Sequence, residues 1–224
     1  ITITVLPIPT VSIASNPSAI CNGSSSTVTF TGTSNTLVTY TDPTGATQTI
    51  NLPSSGVATI VDNYTAVGSV TNYTFTLVSA AFPEPASCIQ PITGSTTIVV
   101  MPTPTVTIGI SATICSGETA PVTFTGTPNT VVTYIAPDGS TQTIAIDSTG
   151  VAQITIPYTT GQTPSTYNYT LVSVGYPNAP SCTQLKNTSI TITVLPIPTV
   201  SIASNPNAIC NGSSSTVTFT GTAN

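Results

Sequence analysis

The fold is decided by the stretch ITITVLPIPTVSIASNPSAICNGSSSTVTFTGT, which opens the chain at residues 1–33 and returns at residues 190–222. The two copies are identical except that Ser18 in the first corresponds to Asn207 in the second. The second copy begins 189 residues after the first. Self-similarity at a fixed period is typical of a tandem array, and we expect both ends of this chain to fall inside a repeating unit.

Pro-x-Pro joints divide the chain further, because they recur at residues 7–9, 102–104 and 196–198. Their spacing is 95 and then 94 residues, so the 189-residue period contains two related domains. The predicted organisation is the last strand of a preceding repeat at 1–8, a first repeat at 9–102, a second repeat at 103–197, and the first strands of a third, truncated repeat at 198–224.

Apolar residues alternate with polar ones along short segments of each repeat. Val28 and Phe30, for example, stand between threonines 27, 29 and 31, which is typical of half-buried strands with β-branched threonine on the outer face. The first repeat contains seven such segments, at 9–14, 26–33, 37–41, 47–52, 56–62, 73–79 and 95–101. Seven short antiparallel strands in about 94 residues predict an all-β protein of tandem immunoglobulin-like, seven-stranded β-sandwich domains. Short, stiff Pro-x-Pro joints should align these domains as a rod-like array.

The composition excludes several classes of function. Charged residues make up 3% of the chain, Lys186 is the only basic residue, and there is no histidine. Nucleic-acid binding needs clustered Lys and Arg, and anionic membranes attract basic segments, so neither partner is expected. The chain also lacks an apolar run of about 18 residues, so no membrane insertion is expected. A surface of hydroxyls and amides suits a protein outside the cell.

No enzymatic, metal or cofactor site is expected from the residue types. Without histidine a Ser-His-Asp device cannot form, and a single lysine barely permits a Ser-Lys one. No two acids lie within three residues of each other, which argues against a calcium site and against a paired-carboxylate hydrolase. The six acids are Asp42, Asp62, Glu84, Glu118, Asp138 and Asp147.

Both repeats share a set of motifs that resembles a known family. The first repeat reads P-I-P-T-V-S-I, then A-I-C-N-G, V-T-F-T-G-T and S-C-I-Q; the second reads P-T-P-T-V-T-I, then T-I-C-S-G, V-T-F-T-G-T and S-C-T-Q. This pattern resembles the tandem immunoglobulin-like repeats of giant cell-surface adhesins of Bacteroidetes, of the SprB gliding-motility type. The resemblance covers the whole chain. It implies a very long secreted protein displayed on the cell surface, in which such modules are spacers or adhesive units.

The five cysteines follow the repeats. Cys21 and Cys88 lie in the first repeat, and Cys115 and Cys182 lie in the second. We expect Cys210 to be the first of a pair whose partner lies outside the sequence. Secreted chains favour disulfides over metal sites when histidine and CxxC spacing are absent. We favour bonds within each repeat, where the 80–95 loop could fold back and the bond would stabilise by about 4 kcal/mol. The alternative is a bond between neighbouring repeats, Cys21 to Cys182.

Several positions match glycosylation signals. Asp147-Ser148-Thr149 resembles the O-glycosylation signal of Bacteroidetes, with Ser148 as the acceptor. An unmodified polar surface is an equal alternative. The Asn-x-Ser/Thr sequons are at Asn22, Asn63, Asn72, Asn168, Asn187 and Asn211.

The leading hypothesis is therefore structural: an extracellular fibre or stalk of tandem modules at the bacterial surface, whose partners are neighbouring repeats. A second hypothesis is that the repeats bind a surface polysaccharide or a partner protein through loops that differ between them, such as 80–87 and 158–167. A third is a filament of separate subunits joined by donor-strand exchange.

Overall fold

A computed structural model describes residues 1, 5–83, 88–109, 111–203 and 208–222. Every regular element in these residues is a β-strand, so the protein is all-β as predicted. The described residues contain no helix that could cross a membrane. The chain divides into two compact units: unit 1 comprises Ile1–Pro104 with Gly175–Thr183, and unit 2 comprises Thr105–Val174 with Gln184–Asn224.

Unit 1 contains nine strands of its own repeat, arranged in two sheets. One sheet has the order β1-β3-β6, and the other has the order β2-β9-β7-β4-β5, with β8 paired to β7. The strands are β1 Val11–Asn16, β2 Ala19–Cys21, β3 Ser25–Gly32, β4 Thr36–Thr41, β5 Thr47–Leu52, β6 Val57–Asn63, β7 Thr71–Ala81, β8 Ile89–Pro91 and β9 Ser95–Met101. A first strand that is split between the sheets, with its second half parallel to the last strand, is a strand order of immunoglobulin-like sandwiches.

Unit 2 repeats this arrangement. Its sheets have the orders β10-β12-β15 and β11-β17-β16-β13-β14, and a separate pair, β18-β19, follows them. The strands are β10 Val106–Ile108, β11 Ala112–Cys115, β12 Val122–Gly126, β13 Val131–Ile135, β14 Thr141–Ala145, β15 Val151–Ile154, β16 Ser165–Tyr176, β17 Ala179–Leu195, β18 Val200–Ala203 and β19 Thr218–Gly221.

The core of each unit is built from the alternating apolar residues. In unit 1, β3 contributes Val28 and Phe30, and both are completely buried. The phenylalanine ring packs against Tyr40 with ring centroids 5.0 Å apart. Unit 2 has the same pair, Phe124 and Tyr134, at 5.2 Å. Equal spacing of apolar residues in the two repeats has therefore placed the same phenylalanine–tyrosine pair in both cores.

All seven strands predicted for the first repeat are present, with ends shifted by up to two residues. Two short strands were missed. β2 forms because Pro17 has no N–H and so ends β1 next to it, after which the chain crosses to the other sheet and pairs parallel with β9. β8 forms when the segment that we expected to be a loop pairs with the end of β7. The repeat boundaries and the rod-like alignment stay predictions.

Candidate functional site: the cysteine turns

The first cysteine turn follows β2. Cys21 lies level with Met101 in the parallel pair, and the N–H of Asn22 donates to the Met101 carbonyl oxygen at 2.8 Å. Gly23 then takes a φ of 79°, which favours glycine, and its N–H donates to the carbonyl of Tyr64 at 2.9 Å. The turn therefore holds Cys21 at the carboxyl end of β9, directly before two residues whose N–H groups make backbone hydrogen bonds.

The bond partner of Cys21 is Cys182, and their Cα atoms are 5.3 Å apart across a sequence separation of 161. Cys182 lies near the start of β17, on the tip of the β16–β17 hairpin, and this tip, Gly175–Thr183, is part of unit 1. The Cys182 side chain is only 2% exposed. The disulfide therefore links residues of two different sequence repeats inside one compact unit.

The preference for a bond within each repeat was thus wrong, and the strand directions explain why. Cys21 lies at the carboxyl end of β9. β7 is antiparallel to β9, and beyond the Thr76–Ser95 pair it continues five residues further, to Ala81, past the amino end of β9. Cys88 follows β7 in the sequence and so lies beyond that opposite end. At about 3.4 Å per residue the two cysteines are separated by some 35 Å, whereas a disulfide needs Cα atoms within about 7 Å. The described part of the 80–95 segment does not fold back over this distance, because β8 pairs with the end of β7.

Cys115 sits in a turn of the same construction in unit 2. It lies level with Leu195 in the parallel β11–β17 pair, and the N–H of Ser116 donates to the Leu195 carbonyl oxygen at 2.8 Å. Gly117 has a φ of 93°, and its N–H donates to the carbonyl of Tyr158 at 2.8 Å. Here the thiol is exposed and free.

A third turn of this type surrounds Cys210, whose thiol is also exposed and free. The N–H of Ser213 donates to the Cys210 carbonyl oxygen at 3.0 Å, and Gly212 has a φ of 86°. The cysteine turn is thus a recurring device of the chain.

Three of the acidic residues stabilise turns through hydrogen bonds to their carboxylates. The carboxylates of Asp42, Asp138 and Asp147 each accept hydrogen bonds from the hydroxyl and the N–H of the residue two positions later. These bonds, the hydroxyl bond most of all, hold the pKa of each carboxyl below its ordinary value. Among the residues that the structure describes, no three His, Cys, Asp or Glu side chains come together as a metal site. Glu84 lies outside those residues.

The candidate glycosylation positions are all exposed, which leaves glycosylation a prediction. Two of the asparagines have engaged side chains: Asn22 Oδ1 accepts from the N–H of Ala66 at 2.9 Å, and Asn168 Oδ1 accepts from the Thr191 hydroxyl at 2.8 Å. The exposed positions are Asn22, Asn63, Asn72, Ser148, Asn168, Asn187 and Asn211.

Each unit also has a tyrosine-lined cleft that the sequence reading missed. In unit 2 the cleft has a volume of about 500 Å³ and is lined by Tyr134, Tyr167 and Tyr169 among others. The hydroxyls of Tyr158 and Tyr169 lie 3.1 Å apart in a hydrogen bond. Burial, followed by this bond, raises the pKa of Tyr169. Tyr167 and Tyr169 follow Tyr134 by 33 and 35 residues in the sequence, and the pairing of β13 with β16 brings them to the same cleft.

The cleft of unit 1 is smaller, about 320 Å³, and differs in one respect. Phe75 stands where unit 2 has Tyr169, 94 positions later. The hydroxyl of Tyr64, which corresponds to that of Tyr158, is consequently buried without a hydrogen-bond partner among the described residues. Burial, followed by the nearby Asp62, raises the pKa of Tyr64.

No protein-family model and no curated protein matches the chain. Among solved structures it is similar to one described as a Ca2+-stabilized adhesin that helps an Antarctic bacterium reach out and bind ice, with a TM-score of 0.34 and 16% identity over 86% of this chain and 51% of that one. The chain thus spans about half the length of that structure. The titin domains z1z2 give a TM-score of 0.30 and 14% identity over 87% of this chain and 98% of theirs. A Salmonella alpha-2-macroglobulin gives a TM-score of 0.35 and 10% identity over 86% of this chain and 17% of that one. At such low scores the fold assignment rests on the strand order.

Proposed function

We propose that this chain is a stretch of an extracellular fibre or stalk, built of tandem immunoglobulin-like modules of a bacterial surface adhesin of the giant Bacteroidetes type. The proposed role is mechanical and non-catalytic. The observation that carries it is the Cys21–Cys182 disulfide, which bonds a strand of the first repeat to the hairpin tip of the second. Disulfides persist in oxidising surroundings such as the cell exterior, which supports the proposed location.

The disulfide also changes the route by which a pulling force would pass through the chain. Tension applied to the two ends would pass along β1 to Cys21, cross to Cys182, and leave along β17. The intervening strands β3 to β16 lie inside the covalent loop and would carry no end-to-end tension. A surface fibre benefits from this arrangement, because its modules can lose structure without a large increase in length.

The surface chemistry is compatible with exposure to the medium. Threonine occupies half of the exposed positions of β7 and β14, namely Thr74, Thr76, Thr141 and Thr143. With one lysine and no arginine or histidine, the chain offers few sites to trypsin-like proteases. Hydroxyl groups therefore supply part of the polar surface of a chain that has few charged residues and a net charge of −5.

Surface display is the direct test of this role. Antibodies raised against the 224-residue chain should label intact cells of the source bacterium, and brief protease treatment of those cells should remove the signal. The control is a cytoplasmic protein of the same cells, which should be labelled only after permeabilisation. Labelling of this chain only in permeabilised cells would contradict the proposed function.

A second candidate function is polysaccharide binding at the tyrosine clefts. The 158–167 segment, which differs between the repeats, runs into β16, and Thr166 and Tyr167 at the start of this strand line the unit 2 cleft; aromatic rings suit sugar faces. The Tyr167 hydroxyl, however, donates to the Thr159 carbonyl at 2.6 Å and so is occupied internally. In a titration with extracted surface polysaccharide, the unaltered chain should bind and the Tyr167→Ala variant should not. No binding by the unaltered chain, or equal binding by the variant, would exclude this candidate.

A further inference from the structure

We propose that the Cys115 turn is a second disulfide site, whose partner is a cysteine on the β-hairpin tip of a third repeat. The inferred bond reproduces the Cys21–Cys182 bond one module further along the chain. It goes beyond the proposed function, because it rests on the geometry of the two turns and would hold in any tandem array, whatever its role.

The two turns share the main-chain hydrogen bonds that follow the cysteine, and in the second turn the N–H of Cys115 also donates to Glu118 Oε2 at 2.9 Å. The parallel pair places Cys21 opposite Met101 and Cys115 opposite Leu195. In both turns the next N–H bonds to that opposite residue at 2.8 Å. In both, the glycine N–H bonds to a buried tyrosine carbonyl, at 2.9 Å and 2.8 Å respectively. A backbone that presents Cys21 for a disulfide therefore presents Cys115 in the same way.

The side chain after each cysteine also performs the same task. Asn22 Oδ1 accepts from the N–H of Ala66 at 2.9 Å, and Ser116 Oγ accepts from the N–H of Thr160 at 3.0 Å. Both bonds span 44 residues and tie the turn to the segment that follows the sixth strand of the repeat, which is β6 or β15. The second turn is therefore as rigidly supported as the first.

The two sites differ in the state of the sulfur. Cys21 is half-buried and bonded to Cys182, whereas Cys115 is exposed and its thiol is free. A cleft of about 170 Å³ adjoins the second turn, and its lining includes Ser116, Thr160, Pro196 and Ile197. The residue that follows Cys115 thus borders open space.

The strands β18 and β19 pair in the same register as the first strands of the first repeat. β18 pairs with β19 in the register Ile202 to Phe219, which repeats the Ile13 to Phe30 register of β1 with β3. Phe30 is completely buried in its finished sandwich, whereas Phe219 is 66% exposed. A sandwich completed on β18–β19 would carry a hairpin tip of the kind that brings Cys182 to Cys21.

The chemistry is thiol–disulfide exchange. The Cys115 thiolate attacks a small-molecule disulfide such as oxidised glutathione, which forms a mixed disulfide and releases one thiol. The hairpin-tip thiolate then attacks the mixed disulfide, forms the protein disulfide and releases the second thiol. Two protein thiols are oxidised, one small-molecule disulfide is reduced, and the two protons pass to the released thiolates.

An extended chain tests the inference. Because residues 190–224 repeat residues 1–35, appending residues 36–104 after Asn224 completes the third repeat in its own register. The extended chain also carries Cys88→Ser in its first copy, so that only the appended copy supplies a hairpin-tip cysteine of that sequence. After refolding with reduced and oxidised glutathione, remaining thiols are alkylated and the disulfides are mapped without reduction.

The expected result is a cross-linked peptide that joins Cys115 to the appended Cys88, with nearly complete loss of Cys115 alkylation. In the 224-residue chain the same treatment should alkylate Cys115 fully, and in both chains Cys21–Cys182 should form. Cys115→Ser in the extended chain should leave the appended cysteine alkylated. A longer version with residues 36–195 appended restores the whole period if the shorter module does not fold. Full Cys115 alkylation in both extended chains overturns the inference.

Discussion

Loss of the Cys21–Cys182 bond is expected to destabilise unit 1 by about 5 kcal/mol. The bond joins residues separated by 161 positions, and in the chain-entropy account a closed loop of that length restricts the unfolded chain by about 5 kcal/mol at 25 °C. If unit 2 stays folded while unit 1 unfolds, the freed loop is shorter. Because the dependence on length is logarithmic, this lowers the effect by only about 0.5 kcal/mol.

Scanning calorimetry of Cys182→Ser, with Cys115→Ser as the matched control, measures this effect. For a unit of this size each kcal/mol shifts the melting temperature by about 4 °C, so Cys182→Ser should lower the melting temperature of unit 1 by about 20 °C. The control removes an exposed, free thiol, and such a surface change should stay within about 0.5 kcal/mol. Equal melting of the two variants would refute the reasoning, because the covalent loop would then not constrain the unfolded chain.

Three further predictions follow from packing and ionisation. Phe75→Tyr should stabilise unit 1 by about 1 kcal/mol in urea unfolding, because its hydroxyl would pair with that of Tyr64; no gain would mean that water already satisfies Tyr64. Gly32→Ala should destabilise unit 1 by about 1–3 kcal/mol, since the new Cβ would collide with the carbonyl oxygen of Thr10, and unchanged stability would show that β1 moves freely. The pKa of Tyr169 is raised in the folded protein, so above the ordinary tyrosine pKa of about 10 unfolding releases a proton, and the free energy of unfolding, unaffected below pH 10, falls as pH rises beyond it. Absorbance at 295 nm should show that Tyr169 ionises only on unfolding. Tyr169→Phe should make the free energy of unfolding less dependent on pH in this range.

The main strands could be predicted from the sequence because their signal is local. In β3, for example, Val28 and Phe30 alternate with threonines over enough residues to define a buried face, and the structure buries both side chains completely. The period of the Pro-x-Pro joints likewise marked two related sandwiches. Local alternation is sufficient for strands of about six residues.

The cysteine pairing could not be predicted because it depends on β2. This strand has three residues, Ala19–Cys21, which is too short to show alternation. Its partner, β9, lies about 80 residues later in the sequence, and the parallel direction of the pair places Cys21 at one end of the sandwich. Without that strand, the sequence does not show at which end of the sandwich Cys21 lies. The general frequency of bonds within a domain then favours the wrong pairing.

The tyrosine clefts depend on contacts that the sequence order hides. Tyr158 and Tyr169 meet through their hydroxyls at 3.1 Å because a loop and a strand of unit 2 fold onto each other. An alignment of the repeats does show Phe75 opposite Tyr169. Only the structure shows that this difference leaves the Tyr64 hydroxyl without a partner among the described residues.

The central claim is that one disulfide carries tension past most of the two repeats, and pulling single molecules from both ends tests it directly. With the Cys21–Cys182 bond intact, the 161-residue separation stays closed, so the fully stretched chain should be about 55 nm shorter than that of Cys182→Ser, at about 3.3–3.6 Å per residue. Cys115→Ser should match the unaltered chain. Equal full extension of the unaltered chain and Cys182→Ser would contradict the claim, because it would show that no covalent shortcut joins the repeats.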